Sequence, residues 1–182
     1  MELLDVVNEA DEVIGTMTRE EAYKTNAIVR VVDVLVFKPS VNKLVLQQRL
    51  PNKSYPLCFD CSAAGHVLSG EDYLFAAKRE LDEELGITSD VLNFVGTIRT
   101  YNLSSGNLKK IHHVFFIEHE GPYSIFEEEM AGIIEVGQDE LKRTVLKTPE
   151  KFTRNFLKIY DELIVSKELF NRCSGETIAG RS

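Results

Sequence analysis

The sequence predicts an α/β fold, with a mixed sheet lying between helices. Two observations carry this prediction. Short runs rich in β-branched residues alternate along the chain with segments of helical period, as happens when strands and helices share one core. At 182 residues, 43% apolar and 27% charged, the chain suits one domain that buries about 70% of its unfolded surface.

Residues 2–8 (ELLDVVN) and 12–17 (EVIGTM) read as a hairpin turning at Glu9-Ala10-Asp11, and Thr18-Arg19-Glu20-Glu21 opens a short helix. Residues 1–26 are therefore an N-terminal hairpin and short helix within the same globule. The main domain occupies 27–170, and 171–182 is a polar tail. IVRVVDVLVF, residues 28–37, is too apolar for an edge strand, and Asp33 inside it needs a polar rim or a hydrogen-bonding partner. A turn at 38–42 returns the chain as KLVLQQR, residues 43–49. Arg49 and Lys53 follow it; Arg49 reads equally as a bidentate phosphate clamp or a solvated strand end.

Residues 58–64 (CFDCSAA) lead into the most informative stretch, 65–87, GHVLSGEDYLFAAKRELDEELGI. The spacing predicts a helix over 70–85, with Ser69 as N-cap, Asp72 reaching back to it and Gly86 as the left-handed terminator. Leu74, Ala77, Leu81 and Leu85 form one stripe; Glu80, Glu83 and Glu84 form another about 120° around the helix. Carboxylates at i, i+3 and i+4 repel one another unless a cation faces them. Hard oxygen ligands suit Mg²⁺ or Mn²⁺, whereas a solvated acidic face is the alternative reading of that stripe alone.

Beyond it, 92–99 and 111–118 read as a strand pair around a Ser-Ser-Gly-Asn turn. Lys109 and Lys110 follow that turn, and His112 and His113 beside those lysines are candidate phosphate contacts. Neighbouring histidines alternate faces on a strand, so both cannot enter one pocket. Glu127, Glu128 and Glu129 form a loop before a last strand, 130–136; a short helix starts at Gln138, and a longer one runs from about 150 to 170 with Phe152, Phe156, Tyr160, Leu163 and Ile164 as core. Cys58, Cys61 and Cys173 are odd in number and lack a second ligand pair, which argues against disulfides or a zinc site.

A formal net charge of −8 disfavours nucleic acid or an anionic membrane as partner, and no run approaches 18 apolar residues. With no basic-then-apolar leader either, a cytoplasmic location is expected.

The joint pattern Gly65, five residues, Glu71, seven residues, Arg79-Glu80-Leu81, one residue, Glu83-Glu84, one residue, Gly86-Ile87 resembles the Nudix box without a mismatch. Seven fixed positions coincide by chance on the order of once in 10⁸ starting points. The resemblance implies an α/β/α sandwich and a pyrophosphohydrolase acting on a small, nucleotide-derived phosphorylated substrate. It also implies Mg²⁺ or Mn²⁺ held by Glu80, Glu83 and Glu84 with the Ala64 carbonyl as helper. Arg79 would orient the glutamates, paired with Glu83 or Glu71. The proton acceptor would be a box residue, Glu80 or Glu84, or the distal Glu128; Arg49, Lys53 and Lys110 would bind substrate. DVVNEADEVIGTMTREEAY, the QQR at 47–49 and YPLCFDCSAAGH resemble the isopentenyl-diphosphate isomerase-like branch. The isomerase itself is therefore the alternative activity, and a non-catalytic nucleotide sensor a third reading. The isomerase carries a cysteine and a histidine where Ala63 and Gly65 stand here. The N-terminal hairpin is a plausible dimer contact.

Overall fold

The computed structural model describes residues 2–102, 105–166 and 169–170. The predicted tail, 171–182, with Cys173, and Ser104 of the predicted turn lie outside the described residues. Strands β1 (Leu3–Val7) and β2 (Val13–Thr18) form the expected hairpin, followed by α1 (Arg19–Thr25). A reciprocal Thr18–Glu21 capping box starts that helix. Then come β3 (Ile28–Lys38), β4 (Lys43–Arg49), β5 (Phe59–Asp60), β6 (Ala63–His66), α2 (Tyr73–Leu85), β7 (Asn93–Tyr101), β8 (Leu108–Glu118), β9 (Met130–Gly137), α3 (Gln138–Lys147) and α4 (Arg154–Ile159).

Among the described residues nine strands join one mixed sheet centred on β3, which pairs antiparallel with β1, β4 and β6 and parallel with β8. Alternation along the central strands divides the core between its two faces. Leu35, Phe37, Leu44, Leu46, Val114 and Phe116 pack with Leu141, Phe156, Ile159 and Leu163 from the C-terminal helices. Val34, Val36, Val45, Phe115 and Ile117 pack with Ala76, Ala77, Leu81 and Leu85 of α2. The sheet thus lies between α2 on one side and α3 and α4 on the other, as an α/β/α sandwich. Among the described residues no helix is long and apolar enough to cross a membrane.

Two helix starts differ from the sequence expectation, both through contacts distant in sequence. The box helix begins at Tyr73, with Asp72 as N-cap accepting from the Phe75 amide at 2.7 Å. Ser69 is drawn away instead: its hydroxyl donates to Asp5 of β1 at 2.7 Å, and Gly70 turns at φ +83° with its amide on the same carboxylate. In this register Leu74 is exposed, and Ala76 and Glu84 join the buried face. The C-terminal helix begins at Arg154 rather than near 150, because Phe152 bridges to Phe59 and the Thr153 amide donates to the Phe59 carbonyl. Past Ile159 a π-helical turn, Tyr160–Val165, continues it.

Candidate active site

One cleft of about 1440 Å³ opens along the edge of α2, and Glu80, Glu83, Glu84, Arg79, Ala64, Arg49, Lys53, Lys110 and Glu128 line it, whereas the other two candidates, His112 and His113, do not. Strand β6 brings the backbone of Ala64 and Gly65 against the helix. The fit is close, since a methyl on Gly65 would stand 1.8 Å from Glu80 Oε1. Glycine is thus required there to leave room for a carboxylate.

Arg79 ties the site together. Its Nε and Nη2 donate to the two oxygens of Glu71 at 2.9 and 3.1 Å, Nη1 donates to Glu80 at 2.7 Å and Glu83 at 3.0 Å, and Nη2 also donates to the His66 carbonyl at 2.9 Å. Glu71 in turn accepts from the Leu68 amide at 3.0 Å, which fixes the loop before the helix. Burial works against the guanidinium charge, but the bonds to Glu71 and Glu80 outweigh it and hold Arg79 above its ordinary range.

The three box glutamates differ in exposure. Glu83 has a side chain 56% exposed, while Glu84 is buried at 6% and accepts from Gln47 Nε2 at 3.1 Å and the Ala64 amide at 3.0 Å. The acidic stripe is therefore not one solvent-facing ridge. Burial raises the proton affinity of Glu84 well above the usual carboxylate range, and repulsion from Glu80 adds to the effect. Burial likewise raises Glu80, against the pull of Arg79. Of the loop acids, Glu129 is the one whose charge acts on Glu80 and Glu84, and it pairs with Lys53 at 3.3 Å; Glu128 lines the same cleft.

Arg49 is not free at a strand end. It donates to the Ser54 carbonyl at 2.7 Å and to Asp60 at 3.3 Å. Asp60 is buried, also accepts from Thr153 at 2.8 Å, and is pushed up to about 6 by burial and by Asp33. Asp33 has the partner expected of it, His112 Nδ1 at 2.7 Å, and His112 Nε2 lies 3.2 Å from the Thr100 hydroxyl. His113 faces the other way and stacks on Tyr73, with ring centroids 3.5 Å apart. Asp33, Asp60 and Cys61 bring ligand atoms within 4.8 Å of one another, but both carboxylates already have these partners, and burial drives the Cys61 thiol well above its usual range. Cys58 is half-buried and Cys61 fully buried, and both are free thiols.

Sequence reasoning missed Gln47 and Glu129. Gln47 occupies a core-facing position of β4, in step with Val45, so an amide at an apolar position was its signal. No local pattern distinguishes Glu129 from Glu128.

Sheet, helix and arginine-centred acid cluster define the Nudix class. A family model for the NUDIX domain matches residues 27–156, and the chain belongs to that family, hydrolases acting on phosphorus-containing acid anhydrides. It is 36% identical over 128 residues to an uncharacterized Nudix hydrolase of Nostoc sp., a match spanning 68% of this chain and 75% of the relative. It is also 28% identical over 153 residues to an isopentenyl-diphosphate Delta-isomerase of Pectobacterium atrosepticum, spanning 83% of this chain and 85% of that one. The crystal structure of DR0079 from Deinococcus radiodurans superposes with a TM-score of 0.70 at 26% identity, over 94% of this chain and 99% of that one.

Proposed function

We propose that the chain hydrolyses the pyrophosphate bond of a nucleoside diphosphate linked to another moiety, or of a related phosphorylated metabolite. The carrying observation is the buried carboxylate of Glu84 beside the half-buried one of Glu80, opening on a cleft that also contains Arg49, Lys53 and Lys110. These acids fit Mg²⁺ or Mn²⁺. Their oxygens are hard donors, Glu84 is answered by neutral amides alone, and the space beside Glu80 is kept clear by Gly65. Glu80, Glu83, Glu84 and the Ala64 carbonyl would hold the ion, which when bound neutralises phosphate charge and acidifies water.

The chain's own residues do the rest. Arg79 keeps Glu80 and Glu83 oriented while Glu71 and the His66 carbonyl keep Arg79 oriented. Glu80 or Glu84 is the box residue that accepts the proton of the attacking water in this reading, and Glu128 is the distal acceptor, with Glu129 beside it. Arg49, Lys53 and Lys110 offer donors to phosphate oxygens.

The likeness to the isomerase favours isopentenyl diphosphate isomerisation as a second reading. Against it, Cys61 is fully buried in the core beneath the C-terminal helices. Phosphate release from nucleotide-sugar, dinucleotide and nucleoside triphosphate substrates with Mg²⁺, run beside an isomerisation assay, separates the two. Hydrolysis that Glu84→Gln lowers by orders of magnitude is expected; isomerisation without hydrolysis would overturn the proposal. A homodimer through the N-terminal hairpin belongs to the same reading, supported by exposed Val13 and Ile14 on the edge strand β2. A monomer in sedimentation would remove it.

A further inference from the structure

The surroundings of Lys110 say more than that it lines the cleft. The register of β7 on β8 slips between Thr100 and Tyr101: Thr100 faces Lys110, Tyr101 faces Leu108, and Lys109 is the extra residue of a bulge. In a regular strand Lys109 and Lys110 would point to opposite faces. Here both ammonium groups reach the ring of Tyr23 on α1, at 4.9 and 5.3 Å from its centroid. The Arg19 guanidinium stands 6.0 Å from the same ring. Among the described residues Lys109 and Lys110 form no ion pair, and Arg19 has only Glu2 at 3.8 Å, with side chains 55% and 57% exposed, a pair worth little.

Three cations around one ring repel one another as the box glutamates do. The ring attracts each without cancelling its charge, so the set remains positive. It lines the same cleft as the box. His66 joins the two, with Nε2 3.0 Å from the Tyr23 hydroxyl and its carbonyl accepting from Arg79. Arg49 and Lys53, by contrast, are tied to Asp60 and Glu129.

We propose that Arg19, Lys109 and Lys110, arranged on Tyr23, form a second anion subsite that takes a phosphomonoester carried by a moiety flanking the scissile pyrophosphate. Substrates bearing that additional phosphate are therefore preferred. A phosphomonoester suits three cations because it is close to doubly charged near neutral pH and offers three acceptor oxygens. The subsite rests on the hydrolase reading for its substrate, but its anion binding is measurable without turnover.

Calorimetry with inorganic phosphate in metal-free buffer gives that measurement, with the Tyr23 ring resonances as a local reporter. The double variant R19Q/K109Q is expected to weaken binding about tenfold or more, as loss of two charge-assisted contacts implies, while R19K/K109R retains it. No uptake by the wild type, or an unchanged affinity in R19Q/K109Q, overturns the subsite. Turnover of matched pairs, NADP⁺ against NAD⁺ and coenzyme A against its dephospho form, gives the second readout. The wild type should favour the phosphorylated member by about tenfold in kcat/KM, and R19Q/K109Q should bring that ratio toward one. Hydrolysis with no preference in the wild type sinks the subsite and leaves the hydrolase reading standing. Phosphate binding that depends on Arg19 and Lys109, with no pyrophosphate hydrolysed, sinks the hydrolase reading and leaves the anion site standing.

Discussion

Gly65→Ala asks whether the position of Glu80 matters, because a methyl at 65 and that carboxylate claim the same space. The methyl carbon would lie 1.8 Å from Oε1, 2.0 Å from Cδ and 2.4 Å from Oε2. Even a close carbon–oxygen contact needs about 3.3 Å, so the carboxylate must retreat by more than about 1 Å. All three obstructing atoms belong to the end of one flexible side chain, so the backbone of β6 can stay where it is. The retreat breaks the 2.7 Å bond from Arg79 and forces Glu80 toward a poorer rotamer, at roughly 0.5–1.5 kcal/mol. For a chain of this size that lowers Tm by only about 1–6 °C. A catalytic group misplaced by about 1 Å, however, loses on the order of 10²-fold in rate. The expected outcome is a folded protein whose kcat for pyrophosphate hydrolysis falls about a hundredfold. In an E80Q background the same substitution should add little further loss, since both act through one carboxylate. A Gly65→Ala protein within about twofold of the wild-type rate would show that Glu80 does not need its observed place.

Other perturbations follow from the same geometry. Leu81→Ala should destabilise by about 2–5 kcal/mol in urea unfolding, because Leu81 is wholly buried between α2 and the sheet; a neutral effect would mean the helix packs on another face. Glu84→Gln should leave the metal-free fold intact or slightly more stable at pH 7, since an amide removes both the buried charge and its repulsion from Glu80; a lower Tm would contradict this. Asp60 supplies a pH test. Its folded value of about 6 lies above the ordinary 3.8, so its stabilising contribution is complete below about pH 4 and disappears as pH rises through 6. Melting of the metal-free protein between pH 4 and 7 should therefore decline more steeply for the wild type than for Asp60→Asn, by roughly 2–3 kcal/mol in all, and parallel curves would refute the burial effect.

Much of the fold was legible because the central strands carry their own instructions. Alternate residues of β3, β4 and β8 go to different halves of the core, as period-two patterning requires. The candidate site was legible through one dense cluster on α2, whose spacing survives any small shift of the helix ends. What escaped was decided by partners far along the chain. Ser69 makes a sound local N-cap until Asp5 takes its hydroxyl, and a helix from about 150 looks sound until Phe152 bridges to Phe59. Gln47 has meaning only once β4 lies beneath Glu84. Lys109 and Lys110 share a ring only because of a bulge, and the residues around that position show no pattern that predicts one.

The charge layout explains how a chain of net charge −8 can still line one end of its cleft with cations. Arg79 is one positive charge bonded to three carboxylates, Glu71, Glu80 and Glu83, which leaves two negative charges in excess when all three are ionised; Glu84, met among the described residues only by neutral donors, adds a third when it ionises. Glu71 and the His66 carbonyl brace the guanidinium, so this excess is held by hydrogen-bond geometry rather than neutralised. Across His66 the reverse imbalance stands, with three cations about Tyr23 and, among the described residues, a single ion-paired acid, the exposed Glu2, against them. Two opposite and uncompensated charges meeting at one residue suit a ligand pair that is itself a cation bound to an anion, with the cation end toward α2. Net charge, which sums over the whole surface, hides this arrangement, because the local fields act within roughly a Debye length of about 8 Å at physiological ionic strength.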